Sequence, residues 1–206
     1  MSTRIRTLAI AAAAAGTAGG AVAAVYLGLI TGACPLDVNR GRRSRPLGPQ
    51  VVDIAAPREL VFDIIAQPYL GRTTRAMAGK VQVLDRGTDM VLAAHHTPIR
   101  GPFGRRLTAV TVETVRFTRP ERVDFRLVRG PVPHVVETFH LTDRDGGTRL
   151  EYRGELAADL WRLGQRWADL VARGWEHTVA ASLAAVKAEA ERRTPTAPPP
   201  AGVPPR

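Results

Sequence analysis

The sequence predicts an α+β domain in which an antiparallel sheet of about seven strands wraps around one long helix near the C-terminus. Two patterns of apolar residues indicate this class. From Lys80 to Leu156, apolar and polar residues alternate with a period of two, which is typical of half-buried strands. From Asp159 to Arg193, apolar residues recur at spacings of three and four, which is typical of an amphipathic helix. A third pattern, an uncharged apolar run near the N-terminus, predicts an additional transmembrane helix.

That N-terminal run favours a membrane anchor in residues 1–36. Residues 7–36 carry no charge, and the 23 residues from Leu8 to Ile30 suffice to cross a hydrocarbon core of about 30 Å. The apolar region of a cleaved signal peptide is shorter, about 7–15 residues. Small residues at 31–33 keep a cleaved signal peptide open as the alternative, and a lipid-modified Cys34 is a third interpretation.

A basic linker, residues 37–48, is predicted to follow the apolar run. Its four arginines weakly favour a domain on the cytoplasmic side of the cell membrane, because positive charge is retained there. The domain would be exported if the run were a signal peptide. The same arginines suit the anionic head groups of lipids, although a solvated linker explains them equally well.

Charge and cysteine content exclude some classes of protein. The net charge is +10, but residues 1–48 contribute +5, whereas residues 49–193 hold 22 basic and 18 acidic side chains of mixed sign. A nucleic-acid-binding face concentrates Lys and Arg with aromatic partners on one surface, and no such cluster occurs here. We therefore expect no nucleic-acid partner. The single cysteine, Cys34, excludes an internal disulfide.

The predicted domain covers residues 49–193 and is followed by a proline-rich, disordered tail, residues 194–206. It begins with a strand from Gln50 to Ala55 and a helix that ends at Ala66, with Pro57 suited to the first turn. Short turns rich in Gly, Pro and Asp then separate the strands of a meander. The predicted strands are Lys80–Leu84, Met90–His96, Leu107–Phe117, Val123–Val128, His134–Leu141 and Thr148–Leu156.

Several stretches resemble the helix-grip fold of the SRPBCC superfamily, the START-like group of polyketide cyclases, aromatases and lipid-transfer domains. The opening VVDIAAPRELVFD (residues 51–63) is similar to the family's first strand and helix. The stretches VDF (123–125) and TRLEY (148–152), with the terminal helix, agree with its later elements. The resemblance covers about residues 49–193. It implies an internal pocket for a hydrophobic ligand and supplies no universal catalytic motif.

Strand alternation selects the residues that would line such a pocket. Phe125 lies on the apolar face of its strand, Phe139 shares a face with Glu137, and Tyr152 also points inward. Adjacent histidines in a strand point opposite ways, so only one of His95 and His96 can face the pocket. The predicted ligand-binding residues are Glu137, Tyr152, Phe125, Phe139, His96, Trp167 and Trp175. The alternatives are an arginine partner for Glu137, a hydrogen-bonded histidine outside any site, and tryptophans that serve only the core.

Three functions remain open at this point. The leading hypothesis is a membrane-tethered domain that binds or transports a hydrophobic small molecule or lipid. The second is a polyketide cyclase- or aromatase-like enzyme that uses Glu137 as an acid–base group. The third is a scaffold or stress protein whose own side chains fill the pocket. Because no metal-ligand spacing, phosphate loop, dinucleotide fingerprint or nucleophile elbow occurs, we predict no catalytic residue, cofactor or metal.

Overall fold

The computed structural model describes residues 20–71, 79–101 and 104–194. These residues form one antiparallel sheet of seven strands, a short helix and a long helix, preceded by helical residues 20–30, here α1. The elements are β1 (Arg43–Ile54), α2 (Arg58–Ala66), β2 (Val81–Arg86), β3 (Met90–Arg100), β4 (Arg106–Thr118), β5 (Arg122–Arg129), β6 (His134–Arg144), β7 (Gly147–Ala158) and α3 (Trp161–Arg193).

The predicted α+β class and meander are confirmed. Strands β2 to β7 lie side by side in sequence order, and β1 pairs with β7, so the sheet order is β1-β7-β6-β5-β4-β3-β2. The long helix α3 packs against β1, β7 and α2. The core therefore lies between the inward face of the sheet and the two helices.

The buried side of α3 follows the predicted spacing. Ala168, Ala172, Val179 and Leu183 are buried, and they recur at intervals of four or seven residues. Small residues occur where the helix approaches the chain most closely: a Cβ on Gly164 would lie 1.5 Å from the carbonyl oxygen of Asp159. Only glycine fits at that position.

The first strand is longer than the sequence predicts. It begins at Arg43 rather than at Gln50, and residues 43–47 pair with residues 154–158 of β7. Part of the predicted linker therefore belongs to the sheet, with Leu47 buried in the core. A register shift between Leu47 and Gln50 interrupts the alternation of the strand, and this bulge hides the strand in the sequence pattern.

The described part of the predicted membrane segment contacts the domain. Tyr26 in α1 packs edge-on against Trp167, with ring centroids 6.0 Å apart. The backbone N–H of Val110 in β4 donates to the carbonyl oxygen of Thr31 at 3.0 Å. Within residues 20–71, 79–101 and 104–194, no helix has both the length and the hydropathy that crossing a bilayer requires. Residues 1–19 of the predicted segment and the tail beyond Thr194 lie outside the described residues.

Asp159 joins the N-terminal stretch to the start of α3. Its buried carboxylate accepts hydrogen bonds from the backbone N–H groups of Val38 and Asn39, at 2.8 and 2.7 Å, and from Nε of Arg42 at 2.7 Å. We call residues 38–42 together with Asp159 the junction. The predicted linker is thus held against the domain.

Candidate functional site

A buried carboxylate, that of Glu137, lies in the middle of the sheet and faces α3. Strand β6 places it there, because Val135, Glu137 and Phe139 alternate onto the inward face. Its neighbours across the sheet are Phe125 of β5 and Gly154 of β7. The side chain is therefore surrounded by strands on both sides and by the helix above.

Two neutral donors hold this carboxylate. The phenol O–H of Tyr152 and the indole N–H of Trp175 both donate to Oε1 of Glu137 at 2.6 Å. Glu137 is 7% exposed, and it forms no ion pair with any described lysine or arginine. Burial above all, and next the charge of Glu113, raise the pKa of Glu137 to about 7, although the two hydrogen bonds act in the opposite direction. Both protonation states of Glu137 are accessible near neutral pH.

A second polar cluster lies on the neighbouring strands. Nδ1 of His95 in β3 lies 3.1 Å from Oε2 of Glu113 in β4, and Nε2 of His95 lies 2.9 Å from the hydroxyl of Tyr69. When the imidazole proton lies on Nδ1, beside the carboxylate of Glu113, the phenol O–H of Tyr69 donates a hydrogen bond to Nε2. Burial, together with the charges of Glu113 and Glu137, raises the pKa of Tyr69 far above its usual range. Glu113, His95 and Tyr69 therefore form a chain of three contacting polar side chains, here called the relay.

Aromatic rings connect the two clusters. The ring of Phe125 lies 5.9 Å from that of Tyr69, 6.3 Å from that of His95 and 5.5 Å from that of Phe139. Phe139 in turn lies 5.3 Å from Tyr152. The carboxylates of Glu137 and Glu113 therefore border one buried cluster of packed aromatic side chains, here called the interior.

The structure brings most of the predicted site residues together. Glu137 and Tyr152 contact each other with Trp175, and Phe125 and Phe139 line the same interior. That these side chains contact a ligand stays a prediction. Trp167 lies elsewhere: its indole donates to the carbonyl oxygen of Pro131 at 2.7 Å, and its ring packs on α1.

Of the two adjacent histidines, His95 and not the predicted His96 joins the interior cluster. His96 follows His95 in an extended strand and therefore points to the opposite face of β3. There it lines a shallow depression of about 310 Å³ with Gly79, Val81 and Gln82. Residues 91–94 are apolar on both faces, so the sequence contains no alternation that would distinguish the two histidines.

Sequence reasoning did not identify Glu113 and Tyr69, and it selected His96 in place of His95. Glu113 shares the parity of Val115 and Phe117 in β4, so strand alternation contained a usable signal for it. Tyr69 follows Pro68 in a loop after α2, where no periodicity exists. The contact between Tyr69 and His95 is purely tertiary.

The sequence profile of the family described as polyketide cyclase/dehydrase and lipid transport matches residues 49–191. No curated protein matches the sequence. Solved structures with a similar fold include the Zhui aromatase/cyclase from Streptomyces sp. R1128, with a TM-score of 0.53 and 18% identity over 74% of this chain and 95% of that one. They also include norcoclaurine synthase from Thalictrum flavum in complex with dopamine and hydroxybenzaldehyde, with a TM-score of 0.57 and 10% identity over 78% and 95%. The protein TTHA0849 from Thermus thermophilus has a TM-score of 0.50 and 16% identity over 75% and 98%. Identities this low establish a shared fold.

Proposed function

The chain belongs to the polyketide cyclase/dehydrase and lipid-transport family, and on that premise we propose that its domain binds a hydrophobic small molecule or lipid beside Glu137. The observation that carries the proposal is a buried carboxylate held by neutral donors in an aromatic interior. Both donors use Oε1, and no described residue donates to Oε2. A ligand hydroxyl can donate to that second oxygen, while the ligand's apolar body contacts the rings of Phe125 and Phe139.

We further propose that residues 8–30 stay attached and hold the domain at the cell membrane. Support comes from the contacts of the residues just after this segment. Arg129 donates to the carbonyl oxygens of Gly32 and Ala33, at 3.1 and 3.0 Å, and Val110 donates to that of Thr31. Cleavage at 31–33 would remove these hydrogen bonds, which favours an anchor over a cleaved signal peptide.

Native mass spectrometry of the full chain, purified from membranes in mild detergent, tests the binding proposal. We expect the wild-type protein to carry a co-purified hydrophobic molecule. Replacing Glu137 by Gln removes a charge-assisted acceptor, so occupancy should fall by about tenfold, which corresponds to about 1.4 kcal/mol. The matched control is Glu155→Gln, an exposed glutamate on β7, which should retain the ligand. A wild-type domain that is consistently empty, even after incubation with a lipid extract, would refute the proposal.

The Tyr69–His95–Glu113 relay favours acid–base catalysis as a second candidate function. Ionised Glu137 can remove a proton from a carbon next to a carbonyl group, while the phenol O–H of Tyr69, turned from His95 toward the ligand, donates a hydrogen bond to the carbonyl oxygen on which negative charge develops. His95, oriented by Glu113, holds the hydroxyl of Tyr69 in position while no ligand is bound. In this case Glu137→Gln abolishes turnover and leaves ligand affinity nearly unchanged. Loss of ligand without any turnover in the wild type indicates a carrier.

A further inference from the structure

Exposed apolar side chains concentrate at one end of the domain. Eleven large hydrophobic side chains are exposed among the described residues, and seven of them lie on α1, on residues 36–38 or on the first turns of α3. These seven, which we call the apolar patch, are Val22, Val25, Leu36, Val38, Trp161, Leu163 and Leu170. Soluble proteins seldom expose so many apolar groups together unless something covers them.

Contacts between the segments make the patch continuous. The Tyr26–Trp167 contact places α1 beside α3, and Leu163 and Leu170 lie one turn before and after Trp167 on the same side of the helix. At the junction, the N–H of Trp161 donates to the carbonyl oxygen of Gly41 at 2.9 Å. A Cβ on Gly41 would lie 2.4 Å from the indole, so the Trp161 ring lies directly against the backbone of the junction.

Unpaired arginines accompany the patch. Arg40, Arg43, Arg162 and Arg166 are exposed and form no ion pair with a described residue. The neighbouring Arg45 differs, because it pairs with Asp169 at 2.9 Å. The four arginines suit the phosphate head groups of an anionic membrane surface. The exposed Trp and Leu side chains suit the outer part of the acyl chains beneath them.

We propose that the apolar patch and these four arginines form a membrane-docking surface, and that its occupant is the head-group layer of a bilayer containing anionic lipid. The described part of the uncharged run, residues 20–36, lies at this same surface, which favours a bilayer over a protein partner. The inference rests on the membrane location proposed above and adds the orientation of the domain. The first turns of α3 would face the bilayer, and its other end, about 50 Å away for 33 residues, would point into the aqueous phase.

Site-specific fluorescence on the full chain tests this orientation. In a Cys34→Ser background, one cysteine replaces either Leu163 in the patch or Ser182, an exposed residue farther along the same helix. Each is labelled with an environment-sensitive nitrobenzoxadiazole probe and reconstituted into vesicles of phosphatidylcholine with or without phosphatidylglycerol. We expect a blue shift and quenching by brominated lipids at position 163 only, stronger with phosphatidylglycerol. Replacing Arg162 and Arg166 by Gln should remove that added effect.

The possible results distinguish the docking surface from the membrane anchor of residues 8–30, here called the tether. If the protein floats with vesicles but the probe at position 163 remains in water, the docking surface is wrong and the tether stands. A blue shift at position 163 without quenching by brominated lipids shows that protein and not lipid covers the patch, which also overturns the proposal. Equal shifts at both positions exclude the orientation. If the protein does not float, the tether and the docking surface both fail.

Discussion

Two buried carboxylates in this chain are similarly shielded from water but have opposite acidities. Asp159 at the junction is 3% exposed and Glu137 in the interior is 7% exposed. The Arg42 guanidinium first of all, with the backbone N–H groups of Val38 and Asn39, lowers the pKa of Asp159 below its ordinary value. Burial raises that of Glu137 to about 7. The difference follows from the partners: Asp159 has a cation, whereas Glu137 has only neutral donors.

Asp159 is thus an acid with a structural partner, whereas Glu137 is an acid whose charge is unpaired within the described part of the chain. Asp159 stays ionised, and its negative charge connects the N-terminal stretch to α3. Glu137 can gain or lose a proton near neutral pH, and its charge has no counter-ion among the described residues. A carboxylate that can change its protonation state near neutral pH is suited to contact a ligand or to transfer a proton.

The largest expected effect comes from neutralising the structural acid. In Asp159→Asn an amide N–H₂ group faces donors that the carboxylate formerly accepted, so the free energy of unfolding should fall by about 3 kcal/mol. Urea unfolding of the detergent-solubilised chain measures it. Asp37→Asn is the matched control, because Asp37 also pairs with Arg42, at 2.6 Å, but is largely exposed. It should cost at most about 0.5 kcal/mol. Equal losses in the two variants would contradict the structural role of Asp159.

Glu137 should destabilise the fold as the pH rises. Its pKa increases from 4.5 to about 7 on folding, so between these values the folded chain binds the extra proton. The contribution of Glu137 to stability is then greatest below pH 4.5, falls as the pH rises to about 7 and is level above it. Glu137→Gln lacks this dependence, and its advantage over wild type should grow by about 2 kcal/mol from pH 5 to pH 8. Glu155→Gln is the control. Parallel pH profiles of wild type and Glu137→Gln would refute the raised pKa.

Removing one neutral donor should raise the pKa of Glu137 further above that of Asp159. Tyr152→Phe deletes a hydrogen bond that lowers the pKa of Glu137, so the midpoint of the pH profile of stability should move to higher pH. The lost bond should cost about 1 kcal/mol at pH 8. Tyr26→Phe is a matched control, since the phenol of Tyr26 lies outside the interior. A midpoint that moves to lower pH would show that Tyr152 does not stabilise the ionised form.

The smallest effect is expected when the charge of Glu113, the other carboxylate of the interior, is removed. Glu113→Gln removes a like charge while keeping an acceptor for His95, so the pKa of Glu137 should fall. The same pH profile of stability measures the change, as a midpoint shifted to lower pH with little loss of stability at pH 5. An unmoved midpoint would mean that the charge of Glu113 does not raise the pKa of Glu137.

Strand alternation and helix spacing predicted most of the fold. The meander and α3 are long, regular patterns, and the tertiary structure agrees with each of them. The N-terminal half of β1 was not predicted, because Pro46, Gly48 and several arginines resemble a linker. Its membership of the sheet depends on unused hydrogen-bonding groups at the end of β7, which no local pattern reveals.

The site was predictable where a strand has one apolar face. That condition holds for β6 and β7. Odd–even alternation along these strands was enough to predict that Glu137 and Tyr152 both face inward. It fails in β3, where residues on both faces are apolar and His95 cannot be distinguished from His96. Tyr69 lies in a loop, so only the folded chain shows its contact with His95.

The pairing of residues 43–47 with β7 also limits how far the domain can travel from its N-terminal helix. A free linker over residues 37–48 would behave as a coil with a root-mean-square reach of about 20 Å. Instead, hydrogen bonds from Arg129, Leu160 and Trp161 to residues 32–41 hold this stretch against the domain body. We therefore expect the N-terminal helix and the sheet to move together as one body.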